Sequence, residues 1–422
     1  MKAQQVNVAG VVKDKITHTG VPYATLSFAR NKGFTGDSTG YFTGKLEKGK
    51  YTVVIKAVGY EATSFEWNID SALNQQNFDL QPTKRRLATV TVKGVQQRMS
   101  DVRLLTQTAG TTIYAGKKNE LIDLNTISAN TAINSTRQVY AKVPGVNIIE
   151  NDEAGVQLSI ATRGLNPNRT TEFNSRQNGY DIAADPIGYP ENYYTPPTDA
   201  LDNIEIIRGA ASLQYGTQFG GLLNFKLKQG PTDKPFELVS KQTVGSYGFF
   251  NSFNSIGGQD KKLNYYAFYD FKRSDGWRDN TGFNVHNAYI SLKYALTPKL
   301  TLGFEYTLMY YQMQQPGGLT DEEFKANPRQ SLRNRNWFAA TWNIPALTLN
   351  YAIDTSSLLS VKLYSLIADR KNVGNLNAII YPDNPSIPRT VMDDDYRNYY
   401  LEARYIKHYN LVNNISSSFL SG

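Results

Sequence analysis

The stretch IEIIRGAASLQYGTQFGGLLNFKLK, Ile204–Lys228, decides the fold of this chain. Apolar residues cluster at both ends, as in short strands, while Gly209, Gly216, Gly220 and Gly221 interrupt the middle. A phosphate-binding loop is excluded, because no Gly-Lys-Ser/Thr follows the glycines and no helical pattern begins after them. Glycines let a backbone take positive φ or approach another chain closely. The stretch therefore predicts two strands joined by a sharply turning segment.

The composition indicates a folded, β-rich chain that is long enough for two or three domains. Its 422 residues include 28 Tyr and 19 Phe, which favour strands. The lack of cysteine excludes disulfides and cysteine-ligated metals. A net charge of +8 makes nucleic-acid binding an alternative, but the Lys and Arg residues are dispersed along the chain, so we expect no nucleic-acid partner.

The sequence contains no pattern typical of a membrane helix or of a signal peptide. No apolar run approaches the ~18 residues that a membrane helix needs. The N-terminal residues MKAQQVNVAG lack the apolar core of a signal peptide, so either a signal has been removed or the chain is not exported. A membrane β-barrel has no long apolar run, and a membrane location therefore stays open.

The first segment, residues 5–83, predicts a small β-sandwich. Short apolar runs alternate with regularly spaced turn signals, such as Thr19-Gly20 and Lys48-Gly49. No cluster of His or acidic residues marks it as catalytic, and we expect an accessory binding or spacer module. Residues 84–100 follow as a charged linker, and its stretch Leu87–Val92 is either an ordinary connector or a peptide that adds to a partner's sheet edge.

Residues 101–232 indicate a mixed α+β domain. The pattern of Asn130–Val143 predicts a helix, and strands are predicted at Val146–Ile149 and Val156–Thr162. The polar and aromatic stretch Asn166–Pro197 predicts a loop, and a loop of that length in a compact domain is usually functional.

Beyond Pro235 the sequence changes to strict alternation. In LTLGFEYTLMYY the apolar side chains share one face, Leu300, Leu302, Phe304, Tyr306, Leu308 and Tyr310, opposite Thr301, Gly303, Glu305 and Thr307. Similar segments of about ten residues recur, a length that suits tilted membrane strands. Residues 233–422 therefore predict the first part of an antiparallel transmembrane β-barrel. The alternative is a soluble antiparallel sandwich with one wet face.

Several short motifs carry a family resemblance. G-V-V-x-D begins at Gly10 and D-S-T-G-Y-F at Asp37, while V-P-G-V begins at Val143 and A-T-R-G at Ala161. With Ile204–Lys228, they make the chain similar to a TonB-dependent outer-membrane receptor of the Bacteroidetes type. The resemblance implies a mainly β fold: an N-terminal carboxypeptidase-regulatory-like β-sandwich, an α+β plug domain and an incomplete antiparallel barrel.

In this family the plug fills the lumen of the barrel, where its backbone must turn sharply. The residues that the resemblance assigns to plug structure are Arg163, Gly164, Glu205, Arg208, Gly209, Tyr215, Gly216, Gly220, Gly221 and Asn224. Glu205 and Arg208 are expected to point outward and to pair with charges on the barrel wall.

The T-R-G-L-N-P-N-R run and the Tyr-rich loop that ends in Y-Y-T-P-P resemble receptors for ferric citrate and similar iron chelates. The chain lacks the P-L-Y-V-V-D-G signature of glycan importers. Because guanidinium groups bind carboxylates bidentately and Tyr can donate or stack, the expected cargo contacts at the plug apex are Arg169, Arg176, Gln177, Tyr180, Tyr189, Tyr193 and Tyr194. Iron is expected only within the chelated cargo, with no cofactor and no metal site in the protein.

We expect no enzymatic activity, because the sequence contains no nucleophile–base constellation and no phosphate loop. The resemblance implies import through the outer membrane, in contact with its lipid, driven by a TonB-type periplasmic energy transducer. The expected partner-binding segment can pair as a strand and consists of Ala88, Thr89, Val90, Thr91 and Val92.

The barrel is expected to be incomplete. Barrels of outer-membrane transporters have about 22 strands, whereas the alternation after Pro235 predicts seven or eight, so the chain is expected to be a fragment. Two functional alternatives remain: an importer of another cargo, such as a glycan, a vitamin or haem, and a β-rich surface binding protein without transport activity.

Overall fold

The computed structural model describes most of the chain, namely residues 5–28, 32–70, 73–82, 102–115, 119–150, 152–171, 173–184, 191–209, 214–216, 220–375, 377–411 and 416–422. The chain divides into two compact units, Met1–Gln96 and Gln97–Gly422. Among the helices in these ranges, none is long and apolar enough to cross a membrane. The predicted linker, residues 84–100, lies outside the described residues.

The first unit is a β-sandwich, as its turn spacing predicts. Its strands are β1 Gln5–Asp14, β2 Thr25–Phe28, β3 Lys32–Thr35, β4 Tyr41–Glu47, β5 Gly49–Lys56, β6 Thr63–Ile69, β7 Leu73–Gln75 and β8 Phe78–Leu80. One sheet has the order β4-β1-β7 with β8 also paired to β1, and the other has the order β3-β2-β5-β6. The buried ring of Trp67 packs between the two sheets against Phe42 and Phe78, at centroid distances of 6.1 and 5.6 Å.

The second unit begins with a domain that we call the central domain, the described residues between 102 and 231. Its elements are β9 Val102–Leu104, β10 Thr108–Ala109, β11 Thr112–Ile113, β12 Glu120–Asp123, α1 Thr136–Val139, β13 Val146–Glu150, β14 Leu158–Thr162, β15 Phe173–Gln177, β16 Tyr180–Asp181, β17 Leu201–Ile207 and β18 Gly221–Leu227. A six-stranded sheet has the order β16-β15-β18-β17-β12-β9. The opening stretch thus supplies two adjacent antiparallel strands, β17 and β18, as its apolar ends predict.

Two sequence predictions for the central domain need correction. The helix predicted over Asn130–Val143 is only the four residues of α1, because Asn134 has a positive φ of 53° and its side-chain oxygen accepts from the Thr198 amide at 2.7 Å. The loop predicted over Asn166–Pro197 contains β15 and β16, because β15 pairs in parallel with β18 and continues the sheet.

The rest of the second unit is a nine-stranded antiparallel sheet that we call the wall. Its elements are β19 Glu237–Val244, β20 Phe250–Asp260, β21 Leu263–Ser274, β22 Phe283–Ala295, β23 Leu300–Gln314, α2 Asp321–Ala326, β24 Trp337–Ala352, β25 Ser357–Gly374, β26 Thr390–Asn410 and β27 Ser416–Ser421. The strands pair in sequence order. Turns 261–262, 296–299 and 353–356 define a short-turn edge, and loops 275–282, 315–336 and 375–389 define a long-loop edge.

The two faces of the wall differ in polarity, as the alternation predicts. On β23 the outward side chains Leu302, Phe304 and Tyr310 are about two-fifths exposed, at 41%, 39% and 40%. Glu305 and Thr307 lie on the opposite face and are buried against the central domain at 7% and 1% exposure. In this part of β23 the exposed face is thus apolar and the buried face polar, whereas a soluble sandwich buries its apolar face. Farther toward the long-loop edge the buried face carries the apolar Met309 and Tyr311.

The structure has nine wall strands in its described part, against the seven or eight that the alternation predicts. The difference arises at the start, because the outward side chains of β19 and β20 include Ser240, Gln242, Ser252 and Asn254. These polar groups bond to one another, as in the 2.7 Å contact of Ser240 Oγ with Asn254 Oδ1. A strand with polar residues on both faces gives no periodic hydrophobic signal.

The glycines of the opening stretch occupy turning backbone. Gly209, Gly216 and Gly221 have φ values of 67°, 105° and 119°. At Gly221 a Cβ atom would lie 2.6 Å from the Ile207 carbonyl oxygen on the neighbouring strand, so a larger residue would push β17 and β18 apart. The carbonyl of Gly220 accepts a 2.9 Å hydrogen bond from Thr162 Oγ1.

Candidate functional site at the central domain–wall interface

A charged junction links the central domain to the wall. Arg176 on β15 places Nη1 3.5 Å from the carboxylate of Glu402 on β26, and Arg404 on the same strand approaches that carboxylate at 2.9 Å. Tyr215 lies between the two guanidinium groups, with its ring centroid 4.7 Å from Arg176 Cζ and 4.2 Å from Arg404 Cζ. Both arginine side chains are 8% exposed. One carboxylate and one aromatic ring thus hold two buried cations together.

The same junction reaches the segment that follows the linker. Tyr215 Oη is hydrogen-bonded to Thr112 Oγ1 at 2.9 Å, and Gln214 exchanges two hydrogen bonds with the backbone of Ile113, at 2.7 and 3.3 Å. Arg404 donates to the Gln214 carbonyl at 3.1 Å. The wall, the opening stretch and the β10–β11 hairpin therefore meet at one point.

A second buried network surrounds Glu305 on β23. Its carboxylate accepts hydrogen bonds from Tyr180 Oη and Asn178 Nδ2, both at 2.9 Å. Gln177 donates to Thr307 Oγ1 at 2.8 Å and accepts from Tyr194 Oη at 3.0 Å. Burial raises the pKa of Tyr180 and of Tyr194, so both phenols stay protonated donors.

A third contact lies nearer to the long-loop edge. Arg370 on β25 donates to Glu191 at 3.1 Å and to Asp394 at 2.7 Å. Its guanidinium lies 5.0 Å from the ring of Tyr193, which stacks on Phe338 at a centroid distance of 5.5 Å. The buried arginine is therefore neutralised from both the central domain and the wall.

These networks place the expected cargo contacts inside the protein. Arg176, Gln177, Tyr180, Tyr193 and Tyr194 are all buried and bonded to other residues of the chain. In this state they are internal contacts and do not form an open binding surface, so their cargo role stays a prediction.

The plug-apex position expected for Arg176, Gln177 and Tyr180 stays a prediction. The turn that joins β15 to β16 contacts Glu305, which lies in the half of β23 nearer to the short-turn edge. The backbone of Arg169 forms a single helical turn, Asn168–Thr170, and its side chain lies outside the described part of the structure.

The remaining expected positions outside the described residues are Tyr189 and the partner-binding segment Ala88, Thr89, Val90, Thr91 and Val92.

The expectation that Glu205 and Arg208 pair with the wall is wrong. Arg208 Nη2 lies 2.9 Å from the carboxylate of Glu120, a central-domain residue on β12. Glu205 accepts hydrogen bonds from Tyr114 at 3.0 Å and from Asn224 at 2.6 Å. Burial and the neighbouring Glu205 carboxylate raise the pKa of Tyr114. Both charges therefore stabilise the central domain itself.

The other residues assigned to plug structure lie at tight backbone positions. Arg163 and Gly164 have φ values of 59° and 76°, and the Leu165 amide closes the turn by donating to the Thr162 carbonyl at 3.1 Å. Asn224 accepts from the Gly179 amide at 2.8 Å.

The sequence analysis did not single out the arginines of the long loops. Arg333 donates to the carbonyl oxygens of Tyr381 and Ala378, at 2.6 and 3.0 Å, and Arg335 makes a bidentate pair with Asp383 at 3.0 Å. The signal in the sequence is the pair of arginines in the run R-N-R-N-W within a long loop. These side chains fasten loop 315–336 to loop 375–389.

A cavity of about 860 Å³ lies between the central domain and the short-turn half of the wall. Six basic side chains of the described residues line it: Lys226 on β18, Lys293 on β22, Lys362 on β25, Lys228, Lys241 and Arg404. Six described carboxylates line it as well: Asp199, Asp202, Glu205, Glu237, Glu305 and Glu402. We call this space the lower cavity. No group of three or more His, Asp or Glu side chains in the described part of the chain could hold a metal ion.

Comparisons with known proteins match the N-terminal sandwich and most of the central domain. A CarboxypepD_reg-like domain matches residues 8–92, and a TonB-dependent Receptor Plug Domain matches residues 117–222. The ferric enterobactin receptor of Pseudomonas aeruginosa is 26% identical over 224 residues, which are 44% of this chain and 30% of that protein.

Two solved structures share the fold. The unliganded ferric citrate transporter FecA superposes with a TM-score of 0.61 at 21% identity, covering 70% of this chain and 45% of that one. The copper transporter OprC superposes with a TM-score of 0.52 at 12% identity, covering 73% and 44%. The chain spans less than half the length of these relatives. The matched domains belong to receptors and transporters and not to enzymes.

Proposed function

We propose that this chain, which combines a CarboxypepD_reg-like domain with a TonB-dependent receptor plug domain, serves in an outer-membrane receptor that imports an iron chelate. The central domain acts as the plug and the wall as the first strands of the barrel around it. Energy for import comes from a TonB-type protein of the inner membrane that reaches the receptor through the periplasm.

The polarity of the wall carries this proposal. Outward side chains such as Leu363 and Leu401 are 52% and 75% exposed, while Glu305 and Arg404 on the inner face are buried. Exposed apolar residues in a continuous sheet are costly in water but favourable in lipid. With short turns on the periplasmic side, as in outer-membrane barrels, the long-loop edge faces the cell exterior.

An iron chelate is the favoured cargo because of the relatives. The curated relative is named for ferric enterobactin and one structural relative for ferric citrate. Carboxylate ligands of ferric citrate suit Arg and Tyr donors. A glycan, vitamin or haem cargo, and a surface binding protein without transport activity, are the alternatives that the experiment must separate.

Growth of cells that depend on the complete receptor tests the cargo. With ferric citrate as the sole iron source, deletion of the receptor gene should abolish growth, and the receptor gene on a plasmid should restore it. Equal growth with and without the receptor would reject ferric citrate as cargo. Purified receptor that binds ferric citrate but restores no growth would support the binding-protein alternative.

Among the proposed cargo contacts, Arg169→Ala and Arg176→Ala should each weaken chelate binding. Arg176→Ala should also lower stability, because Arg176 is buried beside Glu402. Unchanged chelate affinity in both variants would remove the two arginines as ligands.

The predicted partner segment has its own test. Deletion of Leu87–Lys93 should abolish uptake while leaving chelate binding at the cell surface intact, because the transducer would lose the strand that it pulls. Normal uptake by the deletion variant would reject this segment as the contact.

A further inference from the structure

The lower cavity has the size of a ligand site and a lining in which, among the described residues, six basic side chains accompany six carboxylates. Its volume of about 860 Å³ falls within the range of small-molecule pockets. Lys226, Lys293 and Lys362 reach it from one strand of the central domain and two strands of the wall. The positive charge of Lys226 acts on both of the other lysines.

The other three cations of the lining are held within the protein: Lys241 pairs with Asp199 at 2.8 Å, Arg404 pairs with Glu402 at 2.9 Å, and Lys228 donates to the Asp199 carbonyl at 2.7 Å. Lys226, Lys293 and Lys362 therefore repel one another and favour an anion beside them.

The carboxylates that line the cavity are already engaged by donors of the protein. Asp199 pairs with Lys241 at 2.8 Å, Glu237 pairs with Lys234 at 2.8 Å, and Asp202 accepts from Asn125 at 3.0 Å. Glu205 accepts from Tyr114 and Asn224, and Glu305 accepts from Asn178 and Tyr180. Glu402 binds Arg176 and Arg404 at 3.5 and 2.9 Å.

In the described part of the chain, Lys226, Lys293 and Lys362 have fewer hydrogen-bond and ion-pair partners than Glu205, Glu305 and Glu402. Lys226 Nζ lies 4.0 Å from Glu205, and Lys362 Nζ donates to the Asn178 carbonyl at 3.0 Å. For Lys293, Glu305 supplies electrostatic attraction, with no hydrogen bond among the described residues. Each of the three ammonium groups therefore keeps N–H donors for a ligand.

The cavity is separate from any site at the long-loop edge. The turn that contains Asn178 and Gly179 lies over it, with Asn178 bonded to Glu305 and the Lys362 ammonium packed so closely that a Cβ at Gly179 would lie 2.6 Å away. On the side of this turn that faces the long-loop edge, Gln177 binds Thr307, so the central domain packs against the wall there.

We propose that the lower cavity is a transit site, in which Lys226, Lys293 and Lys362 bind the oxygen atoms of the anionic chelate after it has passed the central domain and before it enters the periplasm. This inference rests on the proposed function. Lysine suits a transit site, because its point charge binds carboxylates without the fixed bidentate geometry of arginine, so the cargo is held and then released.

The test uses the complete receptor in cells and ferric citrate labelled with radioactive iron. Surface binding is measured without metabolic energy, and uptake is measured with it. The Lys226→Met/Lys293→Met double variant should bind ferric citrate at the surface like the unaltered receptor but import it at least fivefold more slowly. Lys299→Met is the matched control at the same edge, because Lys299 bonds to the Ile353 carbonyl and does not line the cavity.

Unchanged uptake by the double variant would overturn the transit site while leaving the proposed function standing. Failure of the unaltered receptor to bind ferric citrate would overturn the proposed cargo and this inference together.

Titration of the purified receptor distinguishes the loss of one binding site from misfolding of the double variant. Ferric citrate should occupy two sites, and only the weaker one should be lost in the variant. Citrate alone and inorganic phosphate are the comparison probes. Binding of phosphate to the weaker site as tightly as ferric citrate would show a general anion site and overturn the assignment to the chelate.

Discussion

The ring of Tyr215 lies 4.2 Å from the guanidinium carbon of Arg404, so a residue of the central domain is stacked on a cation of the wall. Arg176 approaches the same ring at 4.7 Å, and Glu402 neutralises both arginines. Because Tyr215 also bonds to Thr112 at 2.9 Å, the same ring connects the β10–β11 hairpin to this stack. The contact couples the N-terminal part of the central domain to the wall.

Tyr215→Ala should loosen the β10–β11 hairpin. Each lost cation–π contact is worth about 0.5–2 kcal/mol, and 1.4 kcal/mol is a factor of ten in an equilibrium. Hydrogen exchange at the Ile113 amide, which donates to Gln214, should become at least tenfold faster. Tyr215→Phe keeps the ring and loses only the hydrogen bond to Thr112, so its effect should be smaller. Equal exchange rates in Tyr215→Ala and the unaltered protein would contradict the coupling.

The Arg208–Glu120 pair predicts a large loss of stability when one partner is removed. Both side chains are mostly buried, at 12% and 9% exposure. Arg208→Met leaves Glu120 as an uncompensated buried charge and should lower the free energy of unfolding by about 3–5 kcal/mol. The double variant Arg208→Met/Glu120→Leu should recover most of the lost free energy of unfolding, as measured by urea unfolding. A double variant no more stable than Arg208→Met alone would argue against this pairing.

Much of the fold follows from the sequence because the side chains of a strand alternate. The period of two places Leu302 and Phe304 on the outer face and Glu305 on the inner face, as the structure has them. The period is harder to recognise where polar side chains interrupt the apolar face, as Ser240 and Gln242 do between Leu238 and Val244 on β19.

The partners of the charged residues were harder to predict than their positions. Arg208 was expected to pair with the wall, but the register of β12 and β17 places Glu120 opposite Ile206 and therefore beside Arg208. Arg176 was expected to bind cargo, and it faces Glu402, far along the chain. Such pairings depend on sheet order and on how the central domain seats against the wall, which a single sequence does not encode locally.

The outer face of the wall predicts a penalty for charge. Leu401 on β26 is 75% exposed and lies opposite Leu363, which is 52% exposed, on the outer face of the wall. Leu401→Arg should lower the stability of the receptor in phospholipid vesicles by about 2–4 kcal/mol if the residue lies near the bilayer midplane. Val58→Arg is the control, since Val58 is fully exposed at 102% in the N-terminal sandwich. If Leu401→Arg and Val58→Arg lowered the stability in vesicles by the same amount, the outer face of the wall would not face lipid.

Two turn-capping carboxylates predict the acid sensitivity of the N-terminal sandwich. Asp14 accepts from the amides of Ile16 and Thr17 at 2.7 and 2.9 Å, and Asp37 accepts from the amides of Thr39 and Tyr41 at 2.7 and 3.0 Å. The hydrogen bond from the Thr17 amide lowers the pKa of Asp14, and the Thr39 hydroxyl lowers the pKa of Asp37. Folding lowers both pKa values, so their stabilisation is full above the unfolded pKa of about 4 and is lost as the pH falls through the folded values.

Residues 1–96 can be examined alone, because the core of this unit contains only its own residues. Fluorescence of the buried Trp67 should report unfolding on acidification below about pH 4. The Asp14→Asn/Asp37→Asn variant should be less stable at pH 7 and should lose less stability between pH 5 and pH 2, because its caps no longer titrate. Asp79→Asn, on the exposed side of β8, is the matched control and should keep the acid transition. A double variant with the same pH dependence as the unaltered unit would show that these two carboxylates do not govern it.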